Sequence, residues 1–124
     1  DLGTRSLRSV PDFLAGFTEA HGKNHLPRAS QKLGKLAHTK PSLTLPVSWH
    51  HLDINQHVNN TFYFSWLLDA LPFDWLLSHR PVLMDVMFRA ECGIGDTVNI
   101  AHEDTSPLEK CHLIYNQDGK ELAK

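Results

Sequence analysis

One long amphipathic helix stands in the middle of this chain, with strand patterns on both sides of it. Tyr63, Trp66, Leu67 and Ala70 recur at i, i+3, i+4 and i+7, one face of a helix that starts near Asn60 or Thr61. Pro72 stops it, because the residue before a proline is pushed out of helical geometry. Phe73 to Ser78 predicts one further short helical piece. Upstream, Leu43, Leu45, Val47 and Trp49 alternate with Thr44, Pro46, Ser48 and His50, the period of a half-buried strand. Pro46 has no N–H to donate, so that strand belongs at a sheet edge or carries a bulge. Downstream, strands are expected at about 82–92, 96–105 and 109–116. Gly93-Ile94-Gly95 reads as a bend, and Asp118-Gly119 as a tight turn. Only Lys120 to Lys124 follow, so the last strand is expected to be cut short and the chain to be part of a larger protein. This order specifies an α+β fold, a curved antiparallel sheet wrapped around a central helix.

Residues 1–41 carry a different composition and read as a linker. Pro11-Asp12 opens a short amphipathic piece with Phe13, Leu14 and Phe17, closed by Gly22. From Lys23 to Pro41, Lys, His, Pro and Ser dominate. Charge is divided in the same way. Residues 1–40 hold seven Lys/Arg (Arg5, Arg8, Lys23, Arg28, Lys32, Lys35, Lys40) against three acids, a net of +4; residues 41–124 hold five bases against eleven acids, a net of −6. Such a basic arm either steers an acidic partner or keeps a linker solvated. With 124 residues and 41% hydrophobic content, the chain can build one cored domain. No apolar run approaches the roughly 20 residues of a membrane span. Two cysteines, Cys92 and Cys111, and no leader-like start point to a reducing compartment and a soluble protein.

The polar chemistry gathers in His51-Leu52-Asp53-Ile54-Asn55-Gln56-His57-Val58-Asn59-Asn60, directly before the helix. If this stretch is extended, Asp53, Asn55 and His57 alternate onto one face. The helix start then offers backbone N–H groups of Asn59 and Asn60 beside them; the side chains of these two residues read as N-caps. A proton carrier, polar orienters and an anion-stabilising helix end are the parts that acyl-bond hydrolysis needs. His50, His51, Asp53 and His57 are also metal-ligand types, yet no known spacing joins them, and no metal site is expected.

The segment Asp53-x-Asn55-x-His57-Val58-Asn59-Asn60, followed by Tyr63, Trp66 and the run Leu67–Pro72, resembles the signature of plant and bacterial acyl-ACP thioesterases. A second block, Phe88-Arg89-Ala90-Glu91-Cys92-Gly93, resembles that family's (Tyr/Phe)-Arg-x-Glu-Cys. His50 and His51 depart from the Ser and Asp that the family carries there. The resemblance implies a hotdog fold, with 42–124 as the C-terminal hotdog domain and 1–41 as the segment joining it to a first one; Asp1 to Arg5 resembles the end of that first domain's last strand. It implies hydrolysis of fatty acyl-ACP to free fatty acid and ACP, ending fatty acid biosynthesis without a cofactor. The implied partners are an acyl carrier protein with its phosphopantetheine-linked acyl chain, and an N-terminal hotdog domain or a homodimer partner, with no nucleic acid. The implied compartment is bacterial cytoplasm, or plastid stroma for a plant protein. Two alternatives are a single-hotdog acyl-CoA thioesterase, sharing Asp53 and His57, and a non-catalytic acyl-binding hotdog module.

Under the resemblance, His57 is the proton shuttle, Asn55 orients the carbonyl or the imidazole, and Asp53 and Glu91 activate water or stabilise the imidazolium. Glu91 and Cys92 compete for one role, because successive strand residues face opposite ways. The family has been described both with a papain-like Cys/His/Asn set and with Asp, Asn, His and the Glu before the cysteine. Cys92 falls in the apolar series with Phe88 and Ala90 and reads as a small core residue, and Glu91 is preferred because a carboxylate has no cheap reason to be buried. Cys92 stays as the second choice.

Overall fold

A computed structural model describes residues 9, 11–14, 33–36 and 40–124. The chain divides into two compact units, Asp1–Ser30 and Gln31–Lys124. The first holds a 3-10 turn at Asp12–Leu14; Phe17 and Gly22, expected to continue and close that piece, lie outside the described residues, as do Arg5, Arg8, Lys23, Arg28 and Lys32 of the basic arm.

The second unit is an antiparallel sheet in the order β1 (Leu43–Pro46), β2 (Thr97–Ser106), β3 (Glu109–Asn116) and β4 (Glu121–Ala123). Its long helix is α1 (Asn60–Asp69), and a short helix α2 (Phe73–Ser78) follows. The expected helix face is the buried one: Tyr63, Trp66, Leu67 and Ala70 pack with Val98, Ile100 and Ile114 of the sheet. Removing each such aliphatic side chain from water contributes roughly 1.5–3 kcal/mol, so this layer dominates the core. Pro46 ends β1 on the sheet edge, where its missing N–H costs nothing. The Asp118-Gly119 turn is present, with Gly119 at φ +78°; buried Asn116 organises it by accepting from the N–H groups of Asp118 and Lys120.

Two strand expectations need correction. The alternation through His50 ends early, because Trp49–His51 winds into a 3-10 turn after Ser48. Along 82–92 ladder bonds form only where β4 lies opposite and, at Cys92, where Val58 does. Met87 and Lys124 exchange both backbone bonds, and the N–H groups of Arg89 and Ala90 donate to Leu122. Val82 (97%) and Leu83 (86%) are exposed. Apolar periodicity announced a strand here, but a ladder needs a partner backbone, and β4 supplies one only opposite 87–90.

The core face of the sheet turns polar towards the β2–β3 hairpin. His102 pairs with His112 across the strands, ring centroids 5.8 Å apart, and the Ser42 hydroxyl lies 3.0 Å from His102 Nδ1. Lys110 ion-pairs with Asp104 and sits 4.6 Å above the Trp75 ring of α2, which stacks on His79. His112 Nδ1 is buried without a hydrogen-bond partner. Burial, and then the neighbouring His102 and Lys110, hold His112 down at about 4. The folded state therefore binds a proton less readily than the unfolded chain, whose imidazole titrates near 6.5. The resulting stability is present above pH about 6.5 and is lost as pH falls towards 4. His112→Gln should accordingly show a smaller drop in melting temperature between pH 7 and pH 4.5 than the unaltered protein. Equal drops would show that His112 does not drive acid destabilisation.

Candidate active site

The polar stretch before α1 is a tight loop rather than an extended strand. Leu52 bridges Val58 antiparallel, Asp53 N–H donates to the His57 carbonyl (2.8 Å), and Gln56 N–H donates to the Asp53 carbonyl (3.0 Å). Gln56 takes φ +63°, a left-handed conformation that costs a non-glycine residue roughly 1–2 kcal/mol. Such strain collects at functional sites. Asp53 Oδ1 accepts from the N–H groups of Asn55 (2.7 Å) and His57 (3.2 Å), so this carboxylate also closes the loop. Strand alternation is thus not what brings Asp53, Asn55 and His57 together; the turn is.

Two flanking contacts fix the loop in space. On its near side, Ser48 N–H donates to His51 Nδ1 (3.0 Å), and the His51 ring meets Phe62 and Trp66 edge-on at 4.9 and 5.1 Å. That imidazole therefore caps a turn and packs on α1. On the far side, Val58 N–H donates to the Cys92 carbonyl (2.9 Å), and His57 bridges Gly93. A Cβ at Gly93 would stand 3.3 Å from the Gln56 carbonyl oxygen, tighter than most real contacts, so a side chain there would force the loop to shift.

This stitching places Glu91 beside His57, with Glu91 Oε2 3.5 Å from His57 Nε2 and both side chains partly open to solvent. The two belong to one cleft of about 550 Å³. Asp53, Asn55, His57, Asn59, Asn60, Arg89 and Glu91 form its polar lining, and Val58, Tyr63, Phe88 and Ala90 its apolar lining. All four preferred residues therefore line a single cavity. At the helix start, Asn59 is the N-cap, its Oδ1 accepting from Thr61 N–H (3.0 Å), while Asn60 is the first helical residue. Asn59 N–H is taken by the His51 carbonyl (2.9 Å). Of the two amides expected to face an anion, Asn60's is the one left for that role.

Cys92 faces away from the cleft. It is 4% exposed within the core, and its sulfur lies 3.2 Å from the Tyr63 hydroxyl. Burial pushes its thiol up, with the Tyr63 hydrogen bond pulling the other way and the Asp96 charge pushing up again. A thiol held protonated is a poor nucleophile. Tyr63, expected as core, and Arg89 are also cleft walls; Arg89's place two residues before Glu91 in the sequence was the available signal.

The chain is similar to known proteins over this whole unit. The acyl-ACP thioesterase C-terminal domain family matches residues 34–124. A chloroplastic palmitoyl-acyl carrier protein thioesterase of Gossypium hirsutum is 38% identical, the alignment covering 98% of this chain and 33% of the relative. One from Cuphea hookeriana is 31% identical over 98% of this chain and 32% of its own length. Among solved structures, the 12:0-ACP thioesterase from Umbellularia californica superposes with a TM-score of 0.80 at 26% identity, covering 98% of this chain and 48% of that one. The chain spans about a third of the length of the curated relatives it matches.

Proposed function

The chain belongs to the acyl-ACP thioesterase family, as its C-terminal, hotdog-fold domain, and from this premise we propose that the protein carrying it hydrolyses the thioester of a fatty acyl-ACP. The observation that carries the reading is the approach of Glu91 to His57 in a cleft that also holds Asp53, Asn55 and the start of α1. In the proposed reaction, water attacks the thioester carbon and the C–S bond breaks. Glu91 draws the water proton and relays it to His57, which delivers a proton to the departing pantetheine thiolate, and Asn60 N–H stabilises the oxyanion. Asn55 orients the carbonyl, and Asp53 holds the loop while lending its charge to the imidazole. Release of the fatty acid would end chain elongation in fatty acid biosynthesis.

Partners follow from the same reading. The exposed apolar side chains of Val82 and Leu83 suit an adjacent hotdog domain of the same protein, and the basic segment 1–40 suits an acidic carrier protein. Residues 1–41 would then link two hotdog domains, and 42–124 would form the second. Among the described residues, no helix is long and apolar enough to cross a membrane. We place the protein in the plastid stroma if it comes from a plant, and in the cytoplasm if from a bacterium.

The test is release of free fatty acid from acyl-ACP and from acyl-CoA by the protein that carries residues 1–124. Faster turnover of acyl-ACP is expected. Preference for acyl-CoA would favour a coenzyme A thioesterase, and no turnover of either would leave a non-catalytic acyl-binding module. The isolated chain 1–124 should self-associate through the exposed Val82 and Leu83, running above monomer size in gel filtration; a clean monomer would speak against a covering domain.

A further inference from the structure

Building on the thioesterase reading, we propose that Tyr63 is a positioning residue: its phenol, bonded to the Cys92 sulfur, sets where Glu91 stands relative to His57 and the start of α1. Cys92 sits among four contacts, two of its own and one from each neighbour. Its carbonyl accepts from Val58 N–H, and its sulfur meets the Tyr63 hydroxyl at 3.2 Å. The residue after it bridges His57, and the residue before it reaches His57 Nε2. Cys92 is buried in the core while Glu91 lines the cleft, so a sulfur held inward fixes the backbone from which the Glu91 side chain enters the cleft.

The anchor is itself rigid. Tyr63 lies in the first turn of α1, three residues after Asn60, so its phenol is referenced to the same helix end that offers the Asn60 N–H. Trp66 and Phe88 pack on its ring at 5.4 and 5.3 Å, the latter edge-on. The residue is 2% exposed, so the hydroxyl has no water to exchange for the sulfur. Burial raises the phenol and the thiol alike, which keeps both uncharged and the bond intact across the working pH range. The cysteine of the Arg-x-Glu-Cys block thus acts through Tyr63, holding the neighbouring carboxylate, rather than by attacking the thioester.

Turnover of acyl-ACP and crystallography of the variants test this, in the protein that carries residues 1–124. Tyr63→Phe keeps the ring and removes the bond. It should lower kcat about tenfold with KM nearly unchanged, below the ~100-fold that a 1 Å misplacement can cost. Cys92→Ala should lose as much, Cys92→Ser should keep most of the rate by offering a hydroxyl to Tyr63, and the double variant Tyr63→Phe/Cys92→Ala should be no worse than either single one. In the crystal structure of Tyr63→Phe the Glu91–His57 separation should exceed the present 3.5 Å. An unchanged separation, or losses that multiply in the double variant, would overturn the proposal. Inactive unaltered protein would instead refute the thioesterase reading, and the separation would still decide the role of Tyr63.

Discussion

Replacing His57 with alanine is expected to lower turnover of acyl-ACP by about 10²–10⁴-fold, the range that a positioned acid–base group contributes. The fold should barely notice. The loop contacts of His57 run through its main chain: its carbonyl accepts from Asp53 N–H, its own N–H donates to Asp53 Oδ1, and it bridges Gly93. Alanine preserves all three. The imidazole is about one-third exposed, so truncation opens no sealed cavity in the core. Rate and stability should therefore separate, with kcat collapsing while the melting temperature moves by a few degrees at most. His57→Gln, which keeps hydrogen-bonding capacity without a transferable proton, should be nearly as slow. A variant that retains close to the original rate would leave His57 a structural role only.

Glu91→Gln should be as damaging as loss of the imidazole, and Cys92→Ser should not. Both swaps nearly conserve volume, so the rate reports chemistry. Glu91 lines the cleft with its carboxylate 3.5 Å from His57 Nε2, and the amide of glutamine can neither accept a proton from water nor stabilise an imidazolium. Cys92 lies on the other side of the segment, buried against Tyr63, with its thiol pushed towards the protonated form. A cysteine nucleophile requires the opposite environment, a partly exposed thiolate next to a cation or a base. If catalysis were covalent at sulfur, Cys92→Ser would lose nearly all turnover, and an acyl group would be found on Cys92 by mass spectrometry. Either result would reverse the assignment.

What the sequence determined by itself is what short-range periodicity encodes. The i, i+3, i+4, i+7 spacing selected Tyr63, Trp66, Leu67 and Ala70 as the buried face of α1, and these residues are buried. Pro46 announced an edge, Asp118-Gly119 a turn, and the order of elements an α+β sheet-and-helix fold. The candidate residues were legible too, because a carboxylate, an amide and an imidazole packed just before a helix have few cheap structural explanations.

Only the tertiary structure decided how those residues meet. Periodicity says which way a side chain faces but not which backbone lies opposite, so Val82 and Leu83 read as strand though they are unpaired here. Asp53, Asn55 and His57 share the cleft because Gln56 turns left-handed and Asp53 closes the loop, choices that local alternation does not record. Glu91 reaches His57 because Val58 and Cys92 share a backbone hydrogen bond, and the Tyr63–Cys92 contact spans 29 positions. Such register is set by hydrogen bonds and packing between distant segments, where the pattern within each segment is the same for every possible partner.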